Sequence, residues 1–568
     1  MILLFALIGP LLHLASIEFH KSRVTTPDSR PASSRTQDSN FSVKHYDLNV
    51  RLDPSRKRIL GRARLTVLVM GDLESLSLNM ANNLTADSVR LNNKRFSFIH
   101  QDNHLEIAIG RAYKPPSQFE IVVDYEGNPS APGLVFDEHN ATPMIYSYGL
   151  PFSAQQWFPC KDSPADKADS ADIAITVPAP LVAASNGKLI RTTTNSDGTT
   201  TFDWEVRYPI YPDVISLAAT NYATFNLPYY YPPSGVMPIE FYVYPEDLAK
   251  ARKQFAILPE IMRHHVMAFG EYPFITEKYG IAEFAKHSFR EHQTLPSLAS
   301  TFVTGDDRND WILAHELAHQ WFGNCVSVKN WSHIWLNEGF ANYAYALWKE
   351  NADGENAYLR IMREWNKNEF AGPLFISDPT KKENLFSETT FQKGAWVLHM
   401  LRHVMGDQEF FAALKSYVKT YAYRSANTED FEAVCEKEFG QSLGWFFKEW
   451  VYGIGRPTYE YKWRGQPIGN QTLVILEIAQ TQTNPDVFEM PIDVAIDTNN
   501  GPITVVAWQK TRSQTFEFRV LGKADCVKLD PHDWVLKKLE QHDQAPLEAE
   551  IPCPEVLANR LLQPDGLP

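Results

Sequence analysis

A chain of 568 residues is too long for one hydrophobic core, and we expect it to form three or four domains. Its apolar content of 44% and aromatic content of 12% are typical of a well-packed globular protein. The net charge of −14 argues against nucleic acid or an anionic membrane surface as the main partner.

The chain opens with an apolar segment over residues 2–15. This length is short for a membrane span and suits the core of a signal peptide, which we predict over residues 1–16. Residues 17–40 are rich in Ser, Thr, Pro and Arg, a composition typical of a disordered linker. We therefore expect an exported protein, periplasmic or extracellular. Because no basic residue precedes the apolar segment, an uncleaved membrane anchor or a misassigned start codon stays open.

Residues 41–236 have the pattern of an N-terminal antiparallel β domain. Residues 62–69 and 119–123 are strand-like, and turn signals such as Asp53-Pro54-Ser55 separate runs of this kind. From residue 237 to residue 452 the pattern becomes helical, and a mostly α domain is predicted. Besides the two helices described next, apolar side chains recur at helical spacing in residues 248–268, 356–366, 392–405, 428–438 and 442–451.

The most informative segment of the helical region is His315-Glu316-Leu317-Ala318-His319. Asp310 is a suitable N-cap for a helix over this segment, and Gly323 is a suitable C-cap. Because residues i and i+4 share one helix face, the two imidazoles converge on one point, with Glu316 beside them. Neutral imidazoles suit Zn²⁺, and the glutamate is placed to act as a general base. The alternative is an amphipathic helix that carries two histidines by chance.

A second helix is predicted from Ser332 to about Lys349. Glu338 follows the second histidine by nineteen residues and falls on the apolar face of this helix. A carboxylate there completes a set of three protein ligands, His315, His319 and Glu338, and leaves a fourth position of the metal open for water. We therefore predict one zinc ion per chain.

Two other histidine pairs are expected to be structural. His399 and His403 are also four residues apart, but no glutamate follows His399 directly. His264 and His265 are adjacent on a predicted helix and are expected to point away from each other.

Beyond residue 452 the pattern returns to β. Residues 473–476, 503–506 and 515–520 are strand-like, and the block from 453 to 542 has the size of a small β-sandwich. Residues 543–568 are predicted to form a loose tail. The predicted fold class is multidomain α+β, with an N-terminal β domain, a mostly α domain and a C-terminal β-sandwich.

The five cysteines, Cys160, Cys325, Cys435, Cys526 and Cys553, are widely spaced and form no zinc-ribbon or redox pattern. Most of them are expected to be buried thiols. Cys526 and Cys553 are candidates for a disulfide in an oxidising compartment.

Together these features resemble the aminopeptidase N family of gluzincin zinc metallopeptidases, peptidase family M1, which also includes leukotriene hydrolase. The resemblance extends beyond the zinc segment to residues 321–324 and 335–341, to Phe158-Pro159-Cys160 and to Lys393-Gly394-Ala395. It covers roughly residues 41–540. It implies a thermolysin-like catalytic domain between the two β domains.

The resemblance also implies an activity, the hydrolysis of the N-terminal residue from peptides that carry a free N-terminus. His315, His319 and Glu338 would hold the zinc ion, and Glu316 would be the general base for the zinc-activated water. Glu291 lies where the family has the glutamate that binds the α-amino group of the substrate. Binding of that amine would restrict cleavage to the first residue.

Three positions depart from the family pattern. Phe391 stands in place of a tyrosine whose hydroxyl donates to the developing oxyanion, and loss of such a donor typically costs about 10²–10³ in rate. Arg290 replaces a methionine beside Glu291, where it would either pair with Glu291 or select acidic substrate side chains. With His292 it is placed among the predicted substrate-binding residues. Leu150 replaces the Glu or Gln that would provide a second anchor for the amine.

The sequence therefore predicts a zinc aminopeptidase slowed by Phe391. The main alternative is a catalytically weak or inactive zinc-binding homologue that binds a peptide or a partner. An epoxide-type hydrolase would need a long apolar pocket, and a thermolysin-like endopeptidase would need a cleft that Glu291 does not close. Nucleic acid is not an expected partner, and membrane association is expected only if the N-terminal segment is an uncleaved anchor.

Overall fold

The computed structural model describes most of the chain between residues 39 and 540. The predicted signal peptide, most of the predicted linker, Leu150, Cys553 and the predicted tail lie outside the described residues. Among the helices that are described, none combines the length and the apolar character needed to cross a membrane. The described ranges are 39–129, 131–148, 151–284, 289–370, 372–484 and 486–540.

The N-terminal region is built of β-strands. Along them buried side chains alternate with more exposed ones, the period-two pattern of sheets that cover a core with one face. The predicted strands at residues 62–69 and 119–123 are confirmed. The strands are β1 (Phe41–Asp53), β2 (Arg58–Val69), β3 (Leu73–Asn79), β4 (Leu84–Leu91), β5 (Lys94–Phe96), β6 (Phe98–Gln101), β7 (His104–Tyr113), β8 (Ser117–Gly127), β9 (Gly133–His139), β10 (Thr142–Tyr148), β11 (Ser170–Pro178), β12 (Val182–Ser185), β13 (Lys188–Thr194), β14 (Thr199–Val206) and β15 (Leu217–Thr220).

These strands form one large sheet and two smaller ones. The large sheet has the order β13-β14-β11-β1-β2-β8-β4-β5, and the smaller sheets have the orders β12-β15-β10-β9 and β3-β7-β6. At the centre of the large sheet, β1 pairs antiparallel with β2 and parallel with β11, with His45 opposite Ser170. The domain is therefore antiparallel except at this pair, whose two strands are separated along the chain by β2 to β10.

The middle region holds the helices beside a five-stranded sheet in the order β16-β17-β18-β20-β19. The helices are α1 (Leu248–Gln254), α2 (Leu258–Phe269), α3 (Asp310–Ala318), α4 (Trp335–Asp353), α5 (Glu355–Asn366), α6 (Lys382–Leu385), α7 (Gly394–Met405), α8 (Asp407–Tyr421), α9 (Thr428–Phe439) and α10 (Gly444–Trp450). The strands are β16 (Ala223–Tyr231), β17 (Gly235–Val243), β18 (Tyr279–Phe284), β19 (Phe289–Arg290), β20 (Ser297–Ala299), β21 (Ser327–Val328) and β22 (Ser425–Ala426).

The predicted helical segments of this region are confirmed, with differences in the number and the bounds of the helices. Residues 248–268 form two helices separated by a 3-10 turn over Phe255–Ile257. The segment at 392–405 begins with a π-helical turn over Thr389–Lys393. Helix α8 was not predicted, although Phe410, Leu414 and other residues at helical spacing are buried on one face of it.

The C-terminal region is a β-sandwich of two sheets, β27-β24-β23-β29 and β26-β25-β28. Strand-like residues 473–476, 503–506 and 515–520 lie in strands as predicted. Of the cysteines, Cys526 is disulfide-bonded, whereas Cys160, Cys325 and Cys435 are free and buried. The strands are β23 (Thr458–Ile468), β24 (Gln471–Gln480), β25 (Met490–Thr498), β26 (Gly501–Gln509), β27 (Ser513–Leu521), β28 (Ala524–Leu529) and β29 (Lys538–Leu539).

The N-terminal β region is tied to the helical region by a buried ammonium group. Lys167 donates from Nζ to the carbonyl oxygens of Asn324, at 2.5 Å, and Cys325, at 2.7 Å. Burial lowers the pKa of Lys167 to about 7. These two carbonyls belong to the loop that follows α3, so a residue of the β region holds the loop next to the histidine pair.

Helices α4 and α7 touch backbone to backbone at a pair of glycines. A Cβ atom on Gly394 would lie 2.8 Å from the Cα atom of Gly339, closer than real Cβ contacts come. Gly339 follows Glu338 directly, and Gly394 lies three residues after Phe391. Because neither glycine has a side chain, the two helices approach closely at this crossing. The crossing therefore brings the segments of two predicted site residues, Glu338 and Phe391, close together.

Replacing Gly394 with alanine is expected to destabilise the protein. The new methyl group meets backbone that cannot rotate away, and overpacking of this kind costs about 1–3 kcal/mol, which exceeds the gain of roughly 1 kcal/mol from alanine in a helix. Thermal unfolding should show a lower Tm. Gly444→Ala is the matched control, because its Cβ would meet only side-chain atoms, the end of the flexible Glu432 side chain at 3.4 Å and the Ser442 hydroxyl at 3.8 Å. Equal Tm values for the two variants would contradict this account of the crossing.

Candidate metal centre

The two histidines of the predicted motif converge as expected from their helical spacing. Helix α3 carries His315, and His319 is the C-cap residue of the same helix, with its backbone N–H donating to the His315 carbonyl. Their Nε2 atoms lie 3.0 Å apart, and the two ring centroids lie 4.6 Å apart. Both side chains are almost fully buried. The prediction that the two imidazoles face one point is confirmed.

The helix ends earlier than predicted. Asn309 rather than Asp310 is its N-cap, and its last residue is Ala318 rather than a residue near Gly323. After His319 the chain turns more widely, since the N–H of Asn324 donates to the His319 carbonyl at 2.9 Å. The turn brings the Phe322 carbonyl within 3.0 Å of His319 Nδ1. A proton on Nδ1 for that bond leaves Nε2 free to bind a metal.

Glu338 supplies the third donor from the first turn of α4. One of its carboxylate oxygens lies 3.6 Å from His315 Nε2 and 3.4 Å from His319 Nε2. Donor atoms of Glu291, His319 and Glu338 lie within 4.8 Å of one another, as do those of His315, Glu316 and His319. Two imidazole nitrogens and one carboxylate that meet in this way form a donor set that suits Zn²⁺.

The charges around this point also fit a cation. Burial raises the pKa of Glu316, and the carboxylates of Glu291 and Glu338 raise it further. Burial likewise raises the pKa of Glu291. Burial disfavours the charged form of His319, yet the Glu338 carboxylate raises the pKa of His319 to about 10. Three carboxylates buried together around two imidazoles are costly unless a positive charge lies between them.

Glu316 lies beside the donor set without a partner of its own. Its exposed fraction is 2%, and neither carboxylate oxygen has a hydrogen-bond partner among the described residues. One of these oxygens lies 4.0 Å from His315 Nε2. A buried acceptor left open next to a metal position is the arrangement that a general base requires.

Glu291 reaches the same point from the five-stranded sheet, directly after the edge strand β19. Its backbone carbonyl accepts from Asn324 Nδ2 at 2.8 Å. Gln320 accepts from the Thr294 N–H at 2.8 Å and donates to the His292 carbonyl. Gln320 and Asn324, which follow the histidine pair, thus fix the Glu291 segment against α3. Glu291 Oε1 is buried and has no hydrogen-bond partner among the described residues.

The two neighbours of Glu291 differ in what they contact. Among the described residues Arg290 forms no ion pair, so the predicted alternative of a pair with Glu291 is not seen. The guanidinium lies 4.1 Å from the Tyr148 ring centroid. His292 is buried with Nδ1 3.2 Å from the Ser297 hydroxyl and Nε2 3.5 Å from the Ser147 hydroxyl. Both ring nitrogens of His292 are therefore near hydroxyl groups of the protein, and its substrate-binding role stays a prediction.

Phe391 lies next to the histidine pair. Its ring stacks on that of His315 with the centroids 6.2 Å apart. A hydroxyl that sequence reasoning missed belongs to Tyr211, which is buried and has no hydrogen-bond partner among the described residues. Burial raises the pKa of Tyr211 well above its usual range, and Glu291 is the first of the carboxylates that raise it further. No spacing in the sequence relates Tyr211 to the zinc motif.

The remaining histidine pairs are engaged within the protein. His399 contacts the Tyr358 hydroxyl through Nδ1 at 2.5 Å and the Asp533 carbonyl through Nε2 at 3.0 Å. The prediction that His264 and His265 point apart is wrong, because their Nδ1 atoms lie 3.2 Å from each other. Nε2 of His265 lies 2.9 Å from the Ala314 carbonyl, so this ring supports α3 just before His315.

Two family models match the chain. The Peptidase M1 N-terminal domain matches residues 42–211, and the Peptidase family M1 domain matches residues 288–450. Aminopeptidase M1-B of Oryza sativa subsp. japonica is 27% identical over 523 residues, which are 85% of this chain and 56% of that protein. A probable aminopeptidase 2 of Sulfurisphaera tokodaii is 26% identical over 71% of this chain and 54% of its own length. The chain spans about half the length of the curated relatives it matches.

Solved structures share the fold. A mutant of an M1 zinc metallopeptidase from Deinococcus radiodurans, bound to a Tyr-Ser-Ala substrate, aligns with a TM-score of 0.65 and 24% identity. The alignment covers 74% of this chain and 96% of that one. Aminopeptidase A of Legionella pneumophila, in complex with aspartic acid, aligns with a TM-score of 0.78 and 20% identity, over 89% of this chain and 60% of that one.

Proposed function

Because the chain belongs to peptidase family M1, the aminopeptidase N family of zinc metallopeptidases, we propose that it removes the first residue from peptides with a free N-terminus. The observation that carries this proposal is the convergence of His315, His319 and Glu338 beside the unpartnered carboxylate of Glu316. These three residues would hold one zinc ion.

In the proposed mechanism the metal and the residues of the chain have separate roles. Bound Zn²⁺ supplies a Lewis acid that acidifies water and polarises a carbonyl oxygen. Glu316 accepts the proton of the attacking water and delivers it to the leaving amine. Its buried position and the adjacent carboxylates raise its pKa, which favours a group that both takes up and releases a proton.

Glu291 gives the reaction its restriction to the N-terminus. Its free Oε1 is a suitable acceptor for the α-ammonium group of a substrate, and Gln320 and Asn324 hold its segment at a fixed distance from the ligands. A substrate without an ammonium group would leave the buried Glu291 carboxylate unpaired, so peptides without a free amine are disfavoured.

The test uses aminoacyl-arylamides and the full chain with zinc. We expect release of the arylamine, loss of release in the presence of a chelator, and recovery when zinc is added back. Acetylation of the substrate amine should abolish release because Glu291 then has no ammonium to bind. Release that resists the chelator would refute the zinc mechanism. Cleavage of acetylated peptides would indicate an endopeptidase instead.

A second candidate function is favoured by Phe391, whose ring occupies the site without offering a hydroxyl. On this view the chain is a zinc-binding protein that binds peptides with little or no turnover. It would contain zinc and bind peptides, yet release no product from a broad set of arylamides.

Export is also part of the proposal. It is supported by the apolar segment at residues 2–15 and by the disulfide at Cys526, a bond that persists in oxidising compartments. Fractionation of cells that express the full sequence would test it, and protein confined to the reducing cytoplasm would contradict it.

A further inference from the structure

Arg290 is a cation in the proposed active site that the mechanism above does not use. It ends β19 and directly precedes Glu291. The Tyr148 ring supports its guanidinium at 4.1 Å, and Nη1 donates to the Phe289 carbonyl at 2.5 Å. Nε is buried without a hydrogen-bond partner. The side chain is half-buried, so part of it stays accessible to a ligand.

The positive charge of this guanidinium is not neutralised by a contact. Within the described part of the chain the Arg290 guanidinium forms no ion pair. The carboxylates of Glu291 and Glu316 nevertheless lie within electrostatic range of it. The Arg290 charge interacts favourably with the ionised form of each of these carboxylates. A half-buried guanidinium presents planar donors that match a carboxylate, and an anion bound there would complete its contacts.

The position of Glu291 decides which part of a substrate would reach this group. In an amino acid the α-amine and the side chain leave the same Cα atom. A substrate whose amine is bound by Glu291 therefore presents its first side chain near Glu291, within electrostatic range of the Arg290 guanidinium. Aspartate and glutamate carry their carboxylate only a few bonds beyond Cα, a length compatible with this reach.

An acidic side chain would otherwise be repelled here. Glu291, Glu316 and Glu338 are all buried within the same site, and like charges in low dielectric are unfavourable. The positive charge of Arg290 offsets part of that repulsion. Lys382, the first residue of α6, adds a second positive charge within electrostatic range of Arg290 and Tyr148.

We propose that Arg290 makes the proposed aminopeptidase selective for peptides whose first residue is aspartate or glutamate. The guanidinium, supported on the Tyr148 ring, would bind the side-chain carboxylate while Glu291 binds the amine. This inference rests on the proposed function and adds the substrate class to it.

Matched arylamides of Glu and Gln, and of Asp and Asn, test the proposal because each pair differs in charge at nearly constant shape. In these arylamides the α-carboxyl group is blocked, so the first side chain is the only group that can carry a carboxylate. For the full chain with zinc, we expect kcat/KM for the Glu substrate to exceed that for the Gln substrate by about tenfold or more. In Arg290→Met the ratio should fall to about one or below. The control Arg464→Met, at an exposed position of β23, should keep the wild-type ratio.

Two results would overturn the inference while the proposed function stands. One is a wild-type ratio at or below one with active release of neutral residues. The other is an acidic preference that survives in Arg290→Met with its zinc content unchanged. If wild type releases no residue at all, the proposed function fails, and the inference is then tested by measuring peptide binding. Calorimetry with Glu316→Gln protein should then show tighter binding of Glu-Ala-Ala than of Gln-Ala-Ala, and equal affinities would refute it.

Discussion

Replacing Glu316 with glutamine is expected to lower kcat/KM by about 10²–10⁴-fold, because an amide cannot accept the proton of the attacking water. The substitution keeps the shape of the side chain. Since neither oxygen of Glu316 has a hydrogen-bond partner among the described residues, no structural contact is lost with it. The measurement is release of arylamine under steady-state conditions, together with metal analysis of the purified variant.

Metal content separates the role of a base from that of a ligand. Glu316→Gln should retain one zinc per chain, whereas Glu338→Gln should lose affinity for zinc because its carboxylate faces both imidazoles. Activity of Glu316→Gln close to wild type would mean that another group takes the proton. Loss of zinc from Glu316→Gln would show that its carboxylate helps to hold the metal.

Replacing Phe391 with tyrosine is expected to raise kcat by on the order of tenfold or more. The ring already stacks beside His315, so the substitution adds a hydroxyl to a ring that lies at the proposed metal site. A donor to the developing oxyanion acts in the transition state more than in the ground state, and the gain should therefore appear in kcat rather than in KM.

Phe386→Tyr is the matched control for this gain. Its ring lies 6.5 Å from that of Phe391 and does not stack on a ligand, so the same added hydroxyl should leave kcat unchanged. An unchanged or lower kcat for Phe391→Tyr would show that another donor already serves the oxyanion. Tyr211→Phe would then test whether Tyr211 is the donor, because its hydroxyl has no hydrogen-bond partner among the described residues and lies within electrostatic range of Glu291 and Glu338.

The zinc donors could be predicted from sequence because their geometry is local. His315 and His319 are four residues apart on one helix, so their side chains share one face. A second amphipathic helix places Glu338 on the side that faces them. Glu291 is different, since nothing in its immediate sequence distinguishes it from a surface carboxylate. Its place rested on the family resemblance, and the structure brings it to the donor set through contacts with Gln320 and Asn324.

Contacts between distant segments could not be predicted. The approach of Gly339 to Gly394 joins two helices whose relative position depends on the whole core. The Tyr211 hydroxyl reaches the site from the end of the N-terminal region for the same reason. The early end of α3 was also not predicted. The wide turn after His319 depends on backbone hydrogen bonds and on a contact with Lys167 from the N-terminal β region.

The pairing of β1 with β11 has a consequence for how the chain acquires its structure. The central strand of the large sheet finds one neighbour only after residues 170–178 have left the ribosome. Contacts of such long sequence separation close slowly, and until then β1 exposes an unpaired edge on that side. The helices that carry the zinc donors lie close together in the chain, so contacts between them do not wait for a distant segment to be synthesised. During biosynthesis the first domain therefore stays open to mispairing for longer than the segment that carries the proposed metal centre.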